Sequence, residues 1–350
     1  MHPINVMSTS PHVEKIFFSD KIITTKTLVN VGILGANPAG EHADVYISQL
    51  TGSASTFCTF LGHEDHLQHF LKTCDVIFCL TVDFDKRHYD FVKEHDNHKI
   101  HWCLPGEVDF QTHNPIIFYP EWWHATNRNY HGNELVNDLS LLHRKKTVKN
   151  WFISLLGIQS FHKDSLYSVL CNLKKKLPGY ICYDHKDSDN YLEMTGINRI
   201  RTTDHLPGNI IKYKDAVSLS SLFIPLEYEH YTLDVFTESK FDQQYVFTTE
   251  RIAKCLLAKK PWLGLMPSTY LEFYKNLGFK LDSQIDYSYV TTEDYNIQAN
   301  LLANELYRLY VSGYVPDQSV LDHNFKLFYD TDWRQRMCSK VAKVITSFDS

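Results

Sequence analysis

The stretch HYTLDVFTESKFDQQYVFTTERIAKCLLAKKPWLGLMPSTYLEFYKNLGFKLD, residues 230–282, shows the clearest succession of element types in the chain. YTLDVFTE is rich in β-branched and aromatic residues and reads as a strand. A Thr cap then precedes ERIAKCLLAKK, where Ile252, Cys255 and Leu256 fall on one side at helical spacing, and Pro261 ends that helix. WLGLM makes another strand, and STYLEFYKNLG a further helix, opened by Ser268 and stopped by Gly278. Strands alternating with helices imply a parallel sheet with helices packed on its faces.

The same rhythm runs upstream. TLVNVGILGAN (27–37) is an apolar strand running into a glycine turn, followed by the helix-like EHADVYISQLTG. CDVIFCLTVD (74–83), HKIHWCLP (98–105) and PIIFYPEWW (115–123) are further strand readings, the first two separated by a polar stretch rich in His and Lys. LLHRKKTVKN (141–150) is polar and basic, as a linker is. After it the pattern restarts with NWFISLLGI (150–158), a helix over 162–177 with Leu166, Val169, Leu170 and Leu173 on one stripe, and the strand YICYD (180–184). Residues 185–225 give weak signals, and helical segments at 292–311 and 331–346 close the chain. The expectation is an α/β protein of two Rossmann-like domains, over 1–145 and 146–330, with a C-terminal helix at 331–350.

Composition bounds the function. A chain of 350 residues has room for about two domains. With 43% hydrophobic and 22% charged residues it is a folded protein, and its net charge of −6 supplies no general attraction to nucleic acid or anionic lipid. No apolar run approaches the roughly 18 residues of a membrane span, and the opening MHPINVMSTSPHVEK lacks the basic-then-apolar order of a signal peptide. Eight Cys are scattered without a CxxC pair, which suits reduced, buried thiols and a cytoplasmic setting.

Four segments carry candidate chemistry. GILGANPAGE (32–41) has the glycines of an anion-cradling turn but matches neither GxxxxGK[ST] nor GxGxxG, so a plain tight turn is the better reading. HEDHLQH (63–69) clusters three His without the HExxH spacing, and no metal site is expected. FYPEWWHATN (118–127) follows a strand, where open α/β sheets place ligands; Trp122 and Trp123 suit either sugar stacking or core packing, and Glu121 or His124 is a candidate base. Glu250 and Arg251 fall at a helix N-terminus, joining a carboxylate for two ribose hydroxyls to a cation and free N–H groups for phosphate. The same residues also suit a capping box with an exposed ion pair.

The order V-x-T-E-[ST], a spacer, [FY]-x-T-E-[KR], an apolar helix, K-x-P-[FW] and L-x-x-x-x-x-L-G-F resembles the nucleotide-sugar-binding domain of GT-B glycosyltransferases. The likeness is to the fucosyltransferase-like branch and its viral and bacterial relatives, and covers about fifty residues: VFTES (235–239), VFTTERIAKCLLAKKPW (246–262) and YLEFYKNLGF (270–279). It implies sugar transfer from a nucleoside-diphosphate sugar to an acceptor in a cleft between two domains, with no permanently bound cofactor and no metal. By the same resemblance Glu250 meets the donor ribose and Arg251, where the family usually has Lys, its phosphates. Glu238 then lies near the sugar or nucleotide, with Thr249 beside the donor. WFISLLGIQSFHKDSL (151–166) is similar to the family's opening of the second domain, with Lys163 nearest to its diphosphate-binding Arg. The implied general base falls to Glu121, His124 or Asp83. Two alternatives stand beside this: a non-catalytic nucleotide-sugar-binding or scaffold protein of the same fold, and a virus-type DNA-base glycosyltransferase, which the net charge disfavours.

Overall fold

The computed structural model describes residues 5–8, 30–35, 67–68, 71–72, 74–81, 84–128, 143, 150–158, 160–184 and 230–347. The chain forms two compact units, one of Met1–Ala125, Gln244–Thr248 and Thr331–Ser350, the other of Thr126–Gln243 and Thr249–Asp330. Each contains a wholly parallel sheet, so the α/β expectation with Rossmann-like sheets holds.

In the first unit β1 (Asn5–Ser8), β2 (Asn30–Gly35), β3 (Val76–Leu80), β4 (Ile100–Leu104) and β5 (Ile117–Phe118) lie side by side in chain order. Every residue of β3 and β4 is buried, as a parallel strand covered on both faces requires. The polar stretch after β3 is a helix, α1 (Lys86–His95), where sequence alone gave no element. Its N-cap Asp85 accepts from the backbone N–H of Arg87 and His88, and the His88 ring returns a bond to the Asp85 N–H, so histidine fills the place usually taken by Glu in a capping box. FYPEWWHATN likewise continues into a helix, α2 (Glu121–Arg128). Trp123 is fully buried against Phe118 and Trp333, so of the two uses open to the paired tryptophans Trp123 takes core packing.

Gln244–Thr248 runs antiparallel to residues 105–109, with Val246 N–H donating to Glu107 O, Asp109 N–H to Gln244 O, and both N–H and Oγ1 of Thr248 to Pro105 O. The backbones approach so closely at Gly106 that a Cβ there would lie 1.9 Å from Val246 O.

The second unit has four strands, β6 (Asn150–Ile158), β7 (Gly179–Asp184), β8 (Tyr231–Thr237) and β9 (Trp262–Leu265), in the spatial order β7-β6-β8-β9. The helices are α3 (Phe161–Leu173) after β6, α4 (Glu250–Leu257) and α5 (Ser268–Asn276) around β9, then α6 (Tyr295–Val311) and α7 (Gln318–Tyr329). α3 stops four residues short of the expected 177, and its buried face is Leu166, Tyr167 and Leu170, with Val169 and Leu173 half-buried. α5 is preceded by Pro267 with no side-chain cap, so Ser268 is its first residue and not its cap, while Gly278 at φ +99° turns the chain after it. α8 (Trp333–Ser347) belongs to the first unit, where Trp333 packs edge-on against Phe118 and Trp123. Among the described residues no helix is long and apolar enough to cross a membrane.

The glycine segment 36–41, the cluster HEDHLQH apart from its Leu67 and Gln68, most of the linker 141–150, and Asp83 lie outside the described residues. So do the side chains of Glu121 and His124, although their helix is described.

Candidate functional site

In the second unit β7 adds to one side of β6 and β8 to the other, which makes the C-terminal ends of β6 and β8 a topological switch point. At such a point the loops leave the sheet in opposite directions and open a crevice. Here the strands themselves part. β6 pairs with β8 only up to Ile153 and Asp234, after which β6 continues along β7 to Ile158 and β8 along β9 to Thr237. A bulge at Leu156, between Leu155 and Gly157, adds to the divergence on the β6 side.

Arg251 bridges this gap. It stands in the first turn of α4, and its guanidinium donates from Nη1 to Leu155 O at 2.8 Å and from Nη2 to Leu156 O at 3.2 Å. These carbonyls lie beyond the last β6–β8 pair, so the cation supplies donors where a neighbouring strand would have done. Its Nε is buried without a hydrogen-bond partner. Thr249, the N-cap of α4, accepts from the Arg251 N–H. The third helical residue is Ile252, so there is no capping box, and Glu250 is left half-buried with its carboxylate in no hydrogen bond.

Glu238, directly after β8, is completely buried. Thr249 Oγ1 donates to its Oε2 at 2.8 Å and the Tyr274 hydroxyl to its Oε1 at 2.9 Å. Burial outweighs these bonds and the nearby Arg251, and pushes the carboxyl up to about 7. Glu238 therefore locks the loop after β8 to the caps of α4 and the body of α5.

Lys163 is buried in the first turn of α3, whose N-cap Ser160 makes no side-chain cap bond. Desolvation first, then the charges of Arg251 and Lys240, pull its ammonium down to about 7; Glu250 and Glu238 oppose the shift. His162 beside it is pushed down to about 4, chiefly by burial, so it is neutral and its Nε2–H donates to Glu238 O at 3.1 Å. Phe241 packs between the rings of His162 and Tyr295, at 6.1 and 5.8 Å. Behind α4, buried Asp234 accepts from the Cys255 thiol at 3.2 Å, leaves its Oδ1 unpartnered, and is raised by burial to about 7.

The structure thus brings together Glu238, Thr249, Glu250, Arg251 and Lys163, five residues that the sequence singles out. His162, Lys240 and Tyr274 were not expected. Lys240 is visible in hindsight two residues after Glu238, but Tyr274 joins the site only through the packing of α5. Among the described residues no group of three or more His, Cys, Asp or Glu side chains is placed to hold a metal ion. Chemically the crevice offers the half-buried guanidinium of Arg251, the buried amine of Lys163, two helix N-termini and one carboxylate free to accept hydroxyl hydrogen bonds.

No family model matches the chain, and no curated protein matches it. Among solved structures it is similar to an α1,3-fucosyltransferase at 12% identity and a TM-score of 0.32, over 91% of this chain and 77% of that one. An α1,3-fucosyltransferase with GDP-fucose matches at 10% identity and 0.32, over 95% and 79%. The wall teichoic acid polymerase TagF matches at 12% identity and 0.26, over 93% and 67%.

Proposed function

We propose that the chain is a glycosyltransferase that moves a sugar from a nucleoside-diphosphate sugar to an acceptor hydroxyl or amine. The observation that supports this best is the Arg251 guanidinium with the Lys163 amine, a cation in its protonated form, held beside Glu250 where β6 and β8 part. In this proposal Glu250 accepts from the ribose hydroxyls, and Lys163 with the unspent donors of Arg251 faces the diphosphate. When the acceptor attacks the anomeric carbon, the bond from that carbon to the phosphate oxygen breaks and its electron pair leaves on the diphosphate. The acceptor proton passes to a base, for which Glu121, His124 and Asp83 are the candidates. Cations fixed in a desolvated site stabilise the departing charge without reorganising, and on this reading they take the place of a divalent metal. A cytoplasmic setting belongs to the same proposal and accords with the buried thiols of Cys79, Cys103 and Cys255, none of which is in a disulfide.

A non-catalytic nucleotide-sugar-binding protein is the second reading, favoured by the use of Arg251 as a strand clamp. A thermal-shift panel of UDP, GDP, ADP, CMP and dTDP tests the shared core of both. A ligand at about 100 times its Kd stabilises by about 2.7 kcal/mol. One nucleotide is expected to raise the midpoint of the wild type and not of Glu250→Ala; failure of all five overturns the assignment. Release of free sugar from the matching donor without acceptor separates the catalytic reading from the binding one.

A further inference from the structure

The described residues expose seven large hydrophobic side chains, and six of them, Ile297, Leu301, Tyr307, Tyr310, Val311 and Val315, lie on α6 or just after it. The inner face of α6, with Ala299, Leu302, Leu306 and Leu309, packs toward α3 and β9. Among the described residues the outer face is met only at its margins, by Lys176 over the Tyr307 ring and by Trp151 against Tyr310, and it carries apolar side chains around Asn300, Asn304 and Arg308. At 100° per residue, Ile297, Asn300, Leu301, Asn304, Tyr307, Arg308 and Val311 form one continuous stripe whose midline passes through Asn304, and all are exposed.

The stripe is symmetric in chemistry as well as in outline. Going outward from Asn304 in the two directions, Leu301 corresponds to Tyr307, Asn300 to Arg308 and Ile297 to Val311. Two copies of α6 packed antiparallel about a two-fold axis at Asn304 would set Leu301 of each against Tyr307 of the other and Ile297 against Val311. The two Asn304 amides would meet on the axis, where each side chain both donates and accepts. Such self-complementarity is what a two-fold interface demands, and a single polar residue inside an apolar helix seam selects one register over its neighbours. Charge does not oppose the pairing, because Arg308 is the stripe's sole ionised group and is already bonded to Glu305.

We propose that this face of α6 is the docking site for a second copy of the same chain, joined antiparallel with Asn304 on the axis. Seven side chains from each copy would bury at most about 1,000 Å² in total, the lower end for a specific interface, so the dimer is expected to be weak and to dissociate on dilution.

Sedimentation velocity of the full chain from 1 to 100 μM, with circular dichroism to confirm folding, tests the proposal. The wild type is expected to shift from monomer to dimer across this range. Leu301→Lys and Tyr307→Glu, each on the exposed surface, should each weaken the dimer at least tenfold. The two combined should restore it, because each new lysine then faces a new glutamate across the axis, whereas Leu301→Lys with Tyr307→Lys should stay monomeric. Asn304→Cys should give a reducible covalent dimer under mild oxidation that the wild type does not form. A wild type that is monomeric at 100 μM overturns the proposal, whether or not it pellets with lipid vesicles. So does a dimer that Leu301→Lys leaves intact, or a combined variant no better than the single ones.

Discussion

Replacing Glu238 by Gln should reverse its effect on stability between mildly acid and mildly alkaline pH. The carboxyl is completely buried and held at about 7 where 4.5 is ordinary. The folded state thus binds this proton more tightly than the unfolded chain, and the stability it confers is full below 4.5 and lost as the pH rises through 7. At roughly 1.4 kcal/mol per pH unit, the loss between pH 5 and pH 8 comes to about 2.5 kcal/mol. Glutamine keeps the shape and can pair with the hydroxyls of Thr249 and Tyr274, but it does not titrate. At pH 5 the variant should be weaker by about 1 kcal/mol, the usual cost of a less well matched hydrogen bond; at pH 8 it should be the more stable protein. Hydrogen exchange of the β8 peptide, comparing variant with wild type at each pH, reads the difference directly and within one unit. The ratio of protection factors should change about a hundredfold between pH 5 and pH 8. Asp234, also raised to about 7, titrates in both proteins and cancels. A ratio that stays constant across this range would refute the argument that Glu238 is buried and largely protonated near neutrality.

Three further outcomes follow from the same geometry. Inorganic pyrophosphate should bind with an affinity that falls about tenfold per pH unit above pH 7, because the Lys163 ammonium, lowered to about 7, must regain its proton to meet the anion; calorimetry in two buffers should show proton uptake, absent from Lys163→Gln. Arg251→Lys keeps the charge but cannot reach both Leu155 O and Leu156 O, and should lower the stability of the second unit by about 2 kcal/mol, measured by urea unfolding. Gly106→Ala should cost about 3 kcal/mol or more in the first unit, since its Cβ would meet the Val246 backbone carbonyl, and a variant unfolding with the wild-type midpoint would show that the 244–248 segment is not packed there.

Every strand but β1 was legible, because the others are short apolar runs bounded by turn residues, as in VIFCL, IHWCL and WLGL, whereas NVMS of β1 lies in a polar opening segment. α1 and α7 were not, and for one reason. Each places a polar side chain on its buried face: His88 closes the cap of α1, and Asn324 of α7 bonds both the N–H and the C=O of Lys280. A helix whose core positions include His or Asn shows no apolar period to read. At the site, Glu250 and Arg251 could be found because a motif and a helix start coincide. The clamp of Arg251 on β6 could not, since it depends on where two strands part and on a bulge at Leu156, neither of which leaves a mark in residue type. Tyr274 was hidden similarly, its hydroxyl meeting Glu238 from a helix thirty-six residues away.

The first unit is assembled from three separate pieces of chain, the last of them beginning at Thr331. A ribosome adding roughly 5–20 residues per second reaches that piece about 10–40 s after completing residue 125. For roughly the first half of that interval the nascent sheet of β3 and β4 lacks the 244–248 segment against residues 105–109, and for the whole of it Trp333 against Trp123. The second unit, by contrast, lacks nothing once Asp330 has emerged. During synthesis the later half of the protein is therefore able to finish first, and the earlier half, with Phe118 and Trp123 awaiting their partner, keeps apolar surface uncovered for longer.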